Sequence, residues 1–165
     1  MNYIVISFIG PDRPGLVDKL SNIINRHQGN WQTSSMHHLS GFFAGVLEVA
    51  VSEENSQALI NALNDIPELK TQIETGNAVA SPEQADIVLE LTANDREGII
   101  QEITSVIHRQ GGNLLKLVSS QSPAAHSGQT MFKAKTRISV NEDSIDELIS
   151  ALENIADDLM VDISR

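Results

Sequence analysis

The chain has 165 residues, of which 41% are hydrophobic, and a formal net charge of −11. This hydrophobic content is ordinary for a globular protein and argues against disorder, while the absence of cysteine excludes disulfides and thiol chemistry. The charge is −4 over residues 1–80 and −7 over residues 81–165, so neither half carries the clustered Lys and Arg that binding to a phosphate backbone requires.

The first half begins with a predicted strand over residues 3–9, because large apolar side chains recur there at every second position. A turn over residues 10–15 follows, with Pro14 expected in the first turn of a helix. Two strands, Asn30–Leu39 and Phe42–Val51, come next. A second amphipathic helix and a fourth strand complete the order β-α-β-β-α-β.

The second half repeats this order. Residues 86–113 match residues 3–30 at an offset of 83 without a gap, and the offset grows to 89 around residues 119–129. The pattern predicts an α+β fold of two ferredoxin-like sandwiches in tandem, each an antiparallel sheet with helices on one face. The predicted domains are residues 1–76 and 86–165, joined by a small and polar linker over residues 77–85.

A strand-to-helix turn of sequence Asp-Arg-x-Gly occurs in both halves, at residues 12–15 and 95–98. The start of a helix presents backbone N–H groups and partial positive charge, which suits a carboxylate, and a glycine lets a ligand approach the backbone. The two aspartates can cap the helices by accepting these N–H groups, and an arginine can pair with a carboxylate in bidentate fashion. An ordinary capped turn explains one such sequence. Its repetition favours a binding site at the turns, although the arginines themselves are expected to face solvent.

Asn30 and Asn113 open the second strand of each half, directly after a glycine. An asparagine there can bond the backbone of the facing turn, or it can offer its amide to the polar ends of a ligand. The residues alone leave both alternatives open.

A basic stripe is predicted on the second sheet. Lys133, Lys135 and Arg137 alternate along the seventh strand and are expected on the open face of the sheet. The simpler interpretation is a solubilising face, neutralised by Asp86 and Glu90. The alternative is a docking stripe for an acidic partner protein.

Patterns typical of enzymes and metal sites are absent from the sequence. No G-x-S-x-G, P-loop or G-x-G-x-x-G motif occurs, so we predict no catalytic residues and no enzyme. His37 and His38 are adjacent in a predicted strand and point to opposite faces, so they cannot ligate one metal together, and we expect neither metal nor cofactor. No leader and no apolar segment of membrane-spanning length is seen, which predicts a cytoplasmic protein.

The order β-α-β-β-α-β also occurs in RNA-recognition modules, which stack bases on aromatic side chains of the first and third strands. Tyr3, Phe42 and Phe43 fit that arrangement in the first half, but Phe132 has no aromatic partner on the first strand of the second half. Direct nucleic-acid binding is therefore the weaker alternative.

The sequence Asp-Arg-Pro-Gly before the first helix, Gly-Asn-Trp at the start of the next strand, and the β-α-β-β-α-β order resemble the ACT domain, a regulatory amino-acid-binding fold. Two such domains in a chain of this length are similar to the glycine cleavage system transcriptional repressor family. The resemblance implies ligand sites between the first turn of one domain and the second strand of another. Carried over, it implicates Asp12, Arg13, Gly15, Leu16 and Asn30 in the first half and Asp95, Arg96, Gly98, Ile99 and Asn113 in the second.

The two halves differ at this motif, because Glu97 replaces Pro14. A carboxylate beside an anion pocket opposes an amino acid's carboxyl group, so the second half is expected to be the weaker site or to bind the ammonium end. The resemblance implies a sensor of a small amino acid, glycine, that represses glycine cleavage genes through a partner transcription factor rather than by binding DNA. One alternative is a protein-interaction module without a ligand, and a less favoured one is a direct nucleic-acid binder. The sequence leaves open whether the chain forms a homo-oligomer.

Overall fold

The computed structural model describes residues 1–77, 85–123 and 128–164, and the chain divides into two compact units, Met1–Ala80 and Ser81–Arg165. The elements of the first unit are β1 (Asn2–Pro11), α1 (Leu16–Arg26), β2 (Asn30–Leu39), β3 (Phe42–Val51), α2 (Glu53–Asn64) and β4 (Lys70–Gly76). Those of the second are β5 (Ala85–Asn94), α3 (Ile99–Arg109), β6 (Asn113–Pro123), β7 (Thr130–Val140), α4 (Ile145–Glu153) and β8 (Met160–Ser164), with a 3-10 turn at Glu142–Ser144 before α4.

Each unit contains one four-stranded antiparallel sheet, in the order β2-β3-β1-β4 in the first and β6-β7-β5-β8 in the second. The predicted α+β fold with two β-α-β-β-α-β repeats is confirmed. The predicted linker over residues 77–85 lies almost wholly outside the described residues, as do residues 124–127 of the segment 119–129 where the offset changes. The domain boundaries at residues 76 and 86 therefore stay a prediction.

The core of each unit lies between the sheet and its two helices, because the central strands carry apolar residues at alternate positions that face the helices. In the first unit Ile4 and Ile6 of β1 are fully buried against Leu20 of α1 and Leu59 of α2. The equivalent core of the second unit is formed by Ile87, Leu89, Leu91, Ile103, Ile107 and Leu148. Burial of this apolar surface is the main force that holds the helices on the sheet.

The open faces of the two sheets differ in chemistry. On the first sheet Val5, Ile9, Phe42 and Val46 are between 44% and 50% exposed. On the second sheet the corresponding face carries charged residues from β5 and β7, including the predicted basic stripe. Among the described residues, the open face of the first sheet is therefore more apolar than that of the second, although both units share one fold.

The first helix of each unit begins directly after the glycine of the Asp-Arg-x-Gly turn, at Leu16 and at Ile99. The expectation that Pro14 lies inside the first helical turn is wrong. Gly15 has φ +87° and ψ 3°, the backbone angles of the third position of a type II turn, so Pro14 occupies the second position of that turn instead. Proline suits that position because its ring fixes φ near the required value. No helix among the described residues is long and apolar enough to cross a bilayer.

Candidate functional site

The two strand-to-helix turns lie at equivalent places, beside the hairpin that joins the second and third strands of each unit. The backbone N–H of Asp12 donates to the carbonyl of Gly41 at 3.2 Å, and that of Asp95 donates to the carbonyl of Thr130 at 2.9 Å. These bonds extend the pairing of the central strand beyond its last residue. Each turn is therefore held at one end of the sheet before the helix begins.

The expectation that Asp12 and Asp95 cap the helices is wrong. Gly15 and Gly98 occupy the N-cap positions, and no side-chain cap bond is made at either. The aspartates instead contact the second strand of their own unit, where Asp12 Oδ2 lies 2.7 Å from His38 Nε2 and Asp95 Oδ2 accepts a bond of 2.7 Å from Gln121 Nε2. His38 and Gln121 are themselves 83 residues apart. The aspartates thus brace the turn and leave the helix start free of a side-chain cap.

A cavity opens at this place in both units. In the first unit it has a volume of about 320 Å³ and is lined by Asp12, Arg13, Gly15, Leu16, Asp18 and Phe43, with Val17 beside them. In the second unit it has a volume of about 400 Å³ and is lined by Asp95, Arg96, Gly98, Ile99, Ile100, Gln101 and Phe132 at the equivalent positions, together with part of β6. The structure therefore brings together four of the five predicted site residues in each half.

Asn30 and Asn113 are the predicted site residues that do not join these cavities. Asn30 lies opposite Ala50 of β3, which in turn lies opposite Tyr3 at the start of β1, whereas the turn follows Pro11 at the other end. Eight residues of strand separate these ends, about 26 Å at roughly 3.3 Å per residue. Asn113 occupies the same place in the second sheet. One small ligand cannot contact both the turn and the asparagine of a single unit.

The charges at the two cavities differ. In the second unit the Arg96 guanidinium is bound in bidentate fashion by the carboxylate of Glu102, with one bond of 3.0 Å between Arg96 Nη1 and Glu102 Oε1. This contact lowers the pKa of Glu102 and raises the pKa of Arg96. In the first unit the position equivalent to Glu102 is Lys19, which pairs with Glu68 at 3.1 Å. The arginine of the first turn therefore has no carboxylate at that position.

A second charge difference affects the first helical turn. Asp18 lines the cavity of the first unit, whereas Gln101 takes its place in the second. Besides the aspartate of each turn, the first cavity therefore contains the Arg13 guanidinium and the Asp18 carboxylate, and the second contains a guanidinium that Glu102 already binds. Glu97, which replaces Pro14 in the second turn, is exposed and does not line the cavity. The charge difference between the two cavities therefore comes from Glu102 and from the exchange of Asp18 for Gln101.

The basic stripe lies on the open face of the second sheet, where Lys133, Lys135 and Arg137 are all exposed. Arg137 Nη2 donates to Asp86 Oδ2 at 2.6 Å, and Lys135 Nζ lies 4.0 Å from Glu90 Oε1. These are the two carboxylates that the solubilising interpretation requires. The docking interpretation stays a prediction.

Sequence reasoning missed the aromatic wall of each cavity and the brace of each aspartate. Phe43 and Phe132 face the helices, with the Phe43 ring 5.9 Å from that of Phe8, while Phe42 faces the other side of the sheet. Two adjacent aromatics on opposite faces do not form a base-stacking surface. The sequence repeat could have indicated the aromatic wall, because Phe43 and Phe132 occupy equivalent positions in the two halves. Among the described residues no group of three His, Cys, Asp or Glu side chains is placed to hold a metal ion.

Comparison with known proteins shows what this fold is similar to. Residues 2–74 match the family model of the ACT domain. A solved structure of an unknown protein from Galdieria sulphuraria is 24% identical, with 99% of this chain and 98% of that chain covered and a TM-score of 0.77. A protein proposed to be a glycine cleavage system transcriptional repressor is 17% identical, with 99% and 96% covered and a TM-score of 0.66. At these identities the likeness is one of fold, and it spans both units. A comparison with curated proteins gave no match.

Proposed function

We propose that this chain, in which residues 2–74 form an ACT domain and the second unit repeats its fold, is an amino-acid-sensing regulatory protein without catalytic activity. One observation carries the proposal. Both units form a cavity at the same strand-to-helix turn, and its lining residues occupy seven equivalent positions. The two units keep this cavity although the open faces of their sheets differ in chemistry, which favours a shared role for the turn.

The groups in the first cavity suit a zwitterion. A ligand carboxylate at the start of α1 would accept bonds from backbone N–H groups of residues 16–18 and interact favourably with the positive end of the helix. Arg13 adds a guanidinium that can bind the same carboxylate. Asp18, on the same side of the helix, offers a carboxylate to the ligand's ammonium group. The cavity thus supplies both charges that an amino acid needs.

Glycine is the proposed ligand, and its size limits the affinity. With roughly five non-hydrogen atoms and a ceiling of about 1.5 kcal/mol per atom, its binding free energy cannot exceed about −7.5 kcal/mol, which is a Kd in the micromolar range at best. Such an affinity allows the occupancy to follow a changing metabolite pool. The first cavity is the stronger site, because Arg96 of the second is already bound by Glu102.

The proposed output is repression of glycine cleavage genes through a partner transcription factor. Two features support it: the fold is like that of a protein proposed to repress glycine cleavage, and the net charge of −11 disfavours direct contact with DNA. The partner would distinguish the glycine-bound protein from the glycine-free protein. Ligand and partner affinities are then linked, so each changes the other by the same factor.

Calorimetric titration with each of the twenty amino acids tests the ligand, with Arg13→Gln as the variant and Arg96→Gln as its matched control. We expect saturable glycine binding that Arg13→Gln weakens more than Arg96→Gln does. No heat up to millimolar concentration with any amino acid would favour the interaction module without a ligand.

A pull-down from cell lysate, with and without glycine, tests the output. We expect a transcription factor that is retained in one condition and lost in the other. A salt-sensitive gel shift of nucleic acid by the purified protein alone would instead favour the direct nucleic-acid binder.

A further inference from the structure

A larger cavity of the first unit lies on the other side of the turn, away from α1. Its volume is about 620 Å³, within the range of about 300–1,000 Å³ that is typical of small-molecule sites. Its walls are largely apolar and come from the end of β1, the start of β3 and the loop before β4. The residues that form them are Ile9, Pro11, Phe42, Pro67 and Leu69.

The floor of this cavity is built by close packing between β1 and the loop that precedes β4. A Cβ atom added at Gly10 would lie 2.5 Å from the carbonyl oxygen of Glu68 and 2.7 Å from Leu69 Cδ2. Only a glycine allows the loop to approach the strand this closely. Ile9 and Phe42, 44% and 49% exposed, face the opposite side of the sheet from Phe43. The cavity is therefore distinct from the one at the start of α1.

The charges around this cavity are predominantly positive. Arg13 and Lys70 both line it. The one carboxylate among its lining residues, Glu68, pairs with Lys19 at 3.1 Å and also interacts electrostatically with Arg13. In a chain with a net charge of −11, two cations on the rim of an apolar cavity favour an anionic occupant.

The second unit lacks this combination although it has the same fold. Thr71 pairs with Phe8, whereas Val161 pairs with Leu91, so the loop before β8 has one residue more than its counterpart. In that longer loop Asp158 accepts a bond of 2.6 Å from the backbone N–H of Asn94. The residue equivalent to Asn94 in the first unit is Pro11, which has no N–H to donate.

Three further replacements in the second unit remove the chemistry of the cavity. Ala93 takes the place of Gly10, and Met160 takes the place of Lys70 in the pairing with the central strand. Thr92 replaces Ile9. The second unit thus loses a basic residue and an apolar wall residue at the equivalent place. The combination of apolar walls and two basic residues is therefore a property of the first unit and does not follow from the fold alone.

We propose that this cavity binds a small carboxylic acid with an apolar body. Its carboxylate would lie between Arg13 and Lys70, and its apolar part would pack against Ile9, Phe42 and Leu69. Arg13 also lines the cavity at the start of α1. The Arg13 guanidinium therefore lines both cavities, and a ligand bound in one cavity affects binding in the other through this side chain.

The test uses 3-phenylpropanoate as the probe and its uncharged amide, 3-phenylpropanamide, as the matched control ligand. Binding to the full chain is followed by amide NMR of the 15N-labelled protein. We expect saturable shifts at Ile9, Phe42 and Leu69, and affinity for the amide about tenfold lower, since an ionised partner strengthens the hydrogen bonds. Lys70→Gln should weaken the acid about five- to tenfold and leave the amide unchanged. Lys116→Gln, an exposed lysine of the second unit, is the control variant and should change neither.

Several outcomes would overturn the proposal. The acid and its amide could bind equally, Lys70→Gln could have no effect, or the probe could shift only residues 16–18 and so occupy the other cavity. Absence of binding at about 20 mM probe would also refute it. Lys70 does not line the cavity at the start of α1, so Lys70→Gln leaves glycine titration unchanged. Failure of this proposal is therefore distinguishable from failure of the glycine site.

Discussion

Replacement of Gly10 by alanine tests how closely the loop before β4 packs on β1. The added methyl carbon would lie 2.5 Å from the carbonyl oxygen of Glu68, whereas ordinary contacts begin at 3.4 Å. The neighbouring atom belongs to the backbone, so a side-chain rotation cannot relieve the overlap. The loop must therefore move as a unit, and the walls of the apolar cavity must move with it.

The expected cost follows from two opposing terms. Overpacking of this kind costs about 1–3 kcal/mol, and the lower freedom of alanine in the unfolded chain returns about 0.4–1 kcal/mol. We expect a net loss of about 1–2 kcal/mol in the free energy of unfolding. For a unit of this size that corresponds to a fall in Tm of about 4–16 °C.

Urea unfolding followed by tryptophan fluorescence measures this loss in the first unit, because Trp31 is the only tryptophan in the sequence and packs against the first core. Gly76→Ala is the matched control. A Cβ there would meet only the carbonyl oxygen of Tyr3 at 3.9 Å, so we expect a change below about 0.5 kcal/mol.

A compensating insertion sharpens the test. The second unit has Ala93 at the position equivalent to Gly10 and a loop with one residue more. Insertion of one aspartate after Glu68 should therefore recover part of the stability that Gly10→Ala removes. The reasoning is refuted if Gly10→Ala is as stable as the parent protein, or if it costs no more than Gly76→Ala.

Three other predictions concern the core and the ion pairs. Leu59→Ala should lower the free energy of unfolding by about 2–5 kcal/mol in the same urea assay, because Leu59 is fully buried and the site cannot collapse completely. Lys19 lowers the pKa of Glu68 below its usual 4.5, so the ionised Glu68 stabilises the fold above that pH. The difference in the free energy of unfolding between the parent protein and Glu68→Gln should therefore shrink as the pH falls below 4.5. A difference that does not change with pH contradicts this. Glu102→Gln should release Arg96 and strengthen glycine binding in the second cavity, as read from NMR titration, and weaker binding would contradict it.

The central strands were predictable from the sequence because each has one buried face. The bounds of β2 and β3 agree with the prediction at both ends, because the turn residues Gly29, Ser40 and Gly41 bound them. The repeat also placed both turns correctly at the start of α1 and α3. Local patterns of this kind depend on neighbouring residues alone, so one sequence suffices to detect them.

The contacts of the turn were not predictable, because they join residues far apart in the chain. Asp12 was expected to bond the helix that follows it, yet it contacts His38 on β2, and Asp95 contacts Gln121 in the same way. The pairing of Arg96 with Glu102 crosses from the strand-to-helix turn to the first turn of α3. Helical spacing alone does not indicate that contact, since a residue in the preceding turn can point along the helix.

The distance between the turn and the asparagines also required the structure. Asn30 follows the helix directly in sequence, but the antiparallel pairing of β2 with β3 places it at the far end of the sheet from Asp12. The apolar cavity beside Lys70 was missed for a similar reason. Its walls come from three separate elements, and its chemistry emerges only when the two units are compared at equivalent positions.

The central claim is that the uncapped start of α1 binds the carboxylate of an amino acid. Titration of the 15N-labelled chain with glycine tests it directly. The account predicts saturable shifts in the amides of residues 16–18, with a micromolar to millimolar Kd that Arg13→Gln raises. If glycine and the other amino acids leave these amides unchanged at about 10 mM, the turn is a structural brace and the sensor account is contradicted.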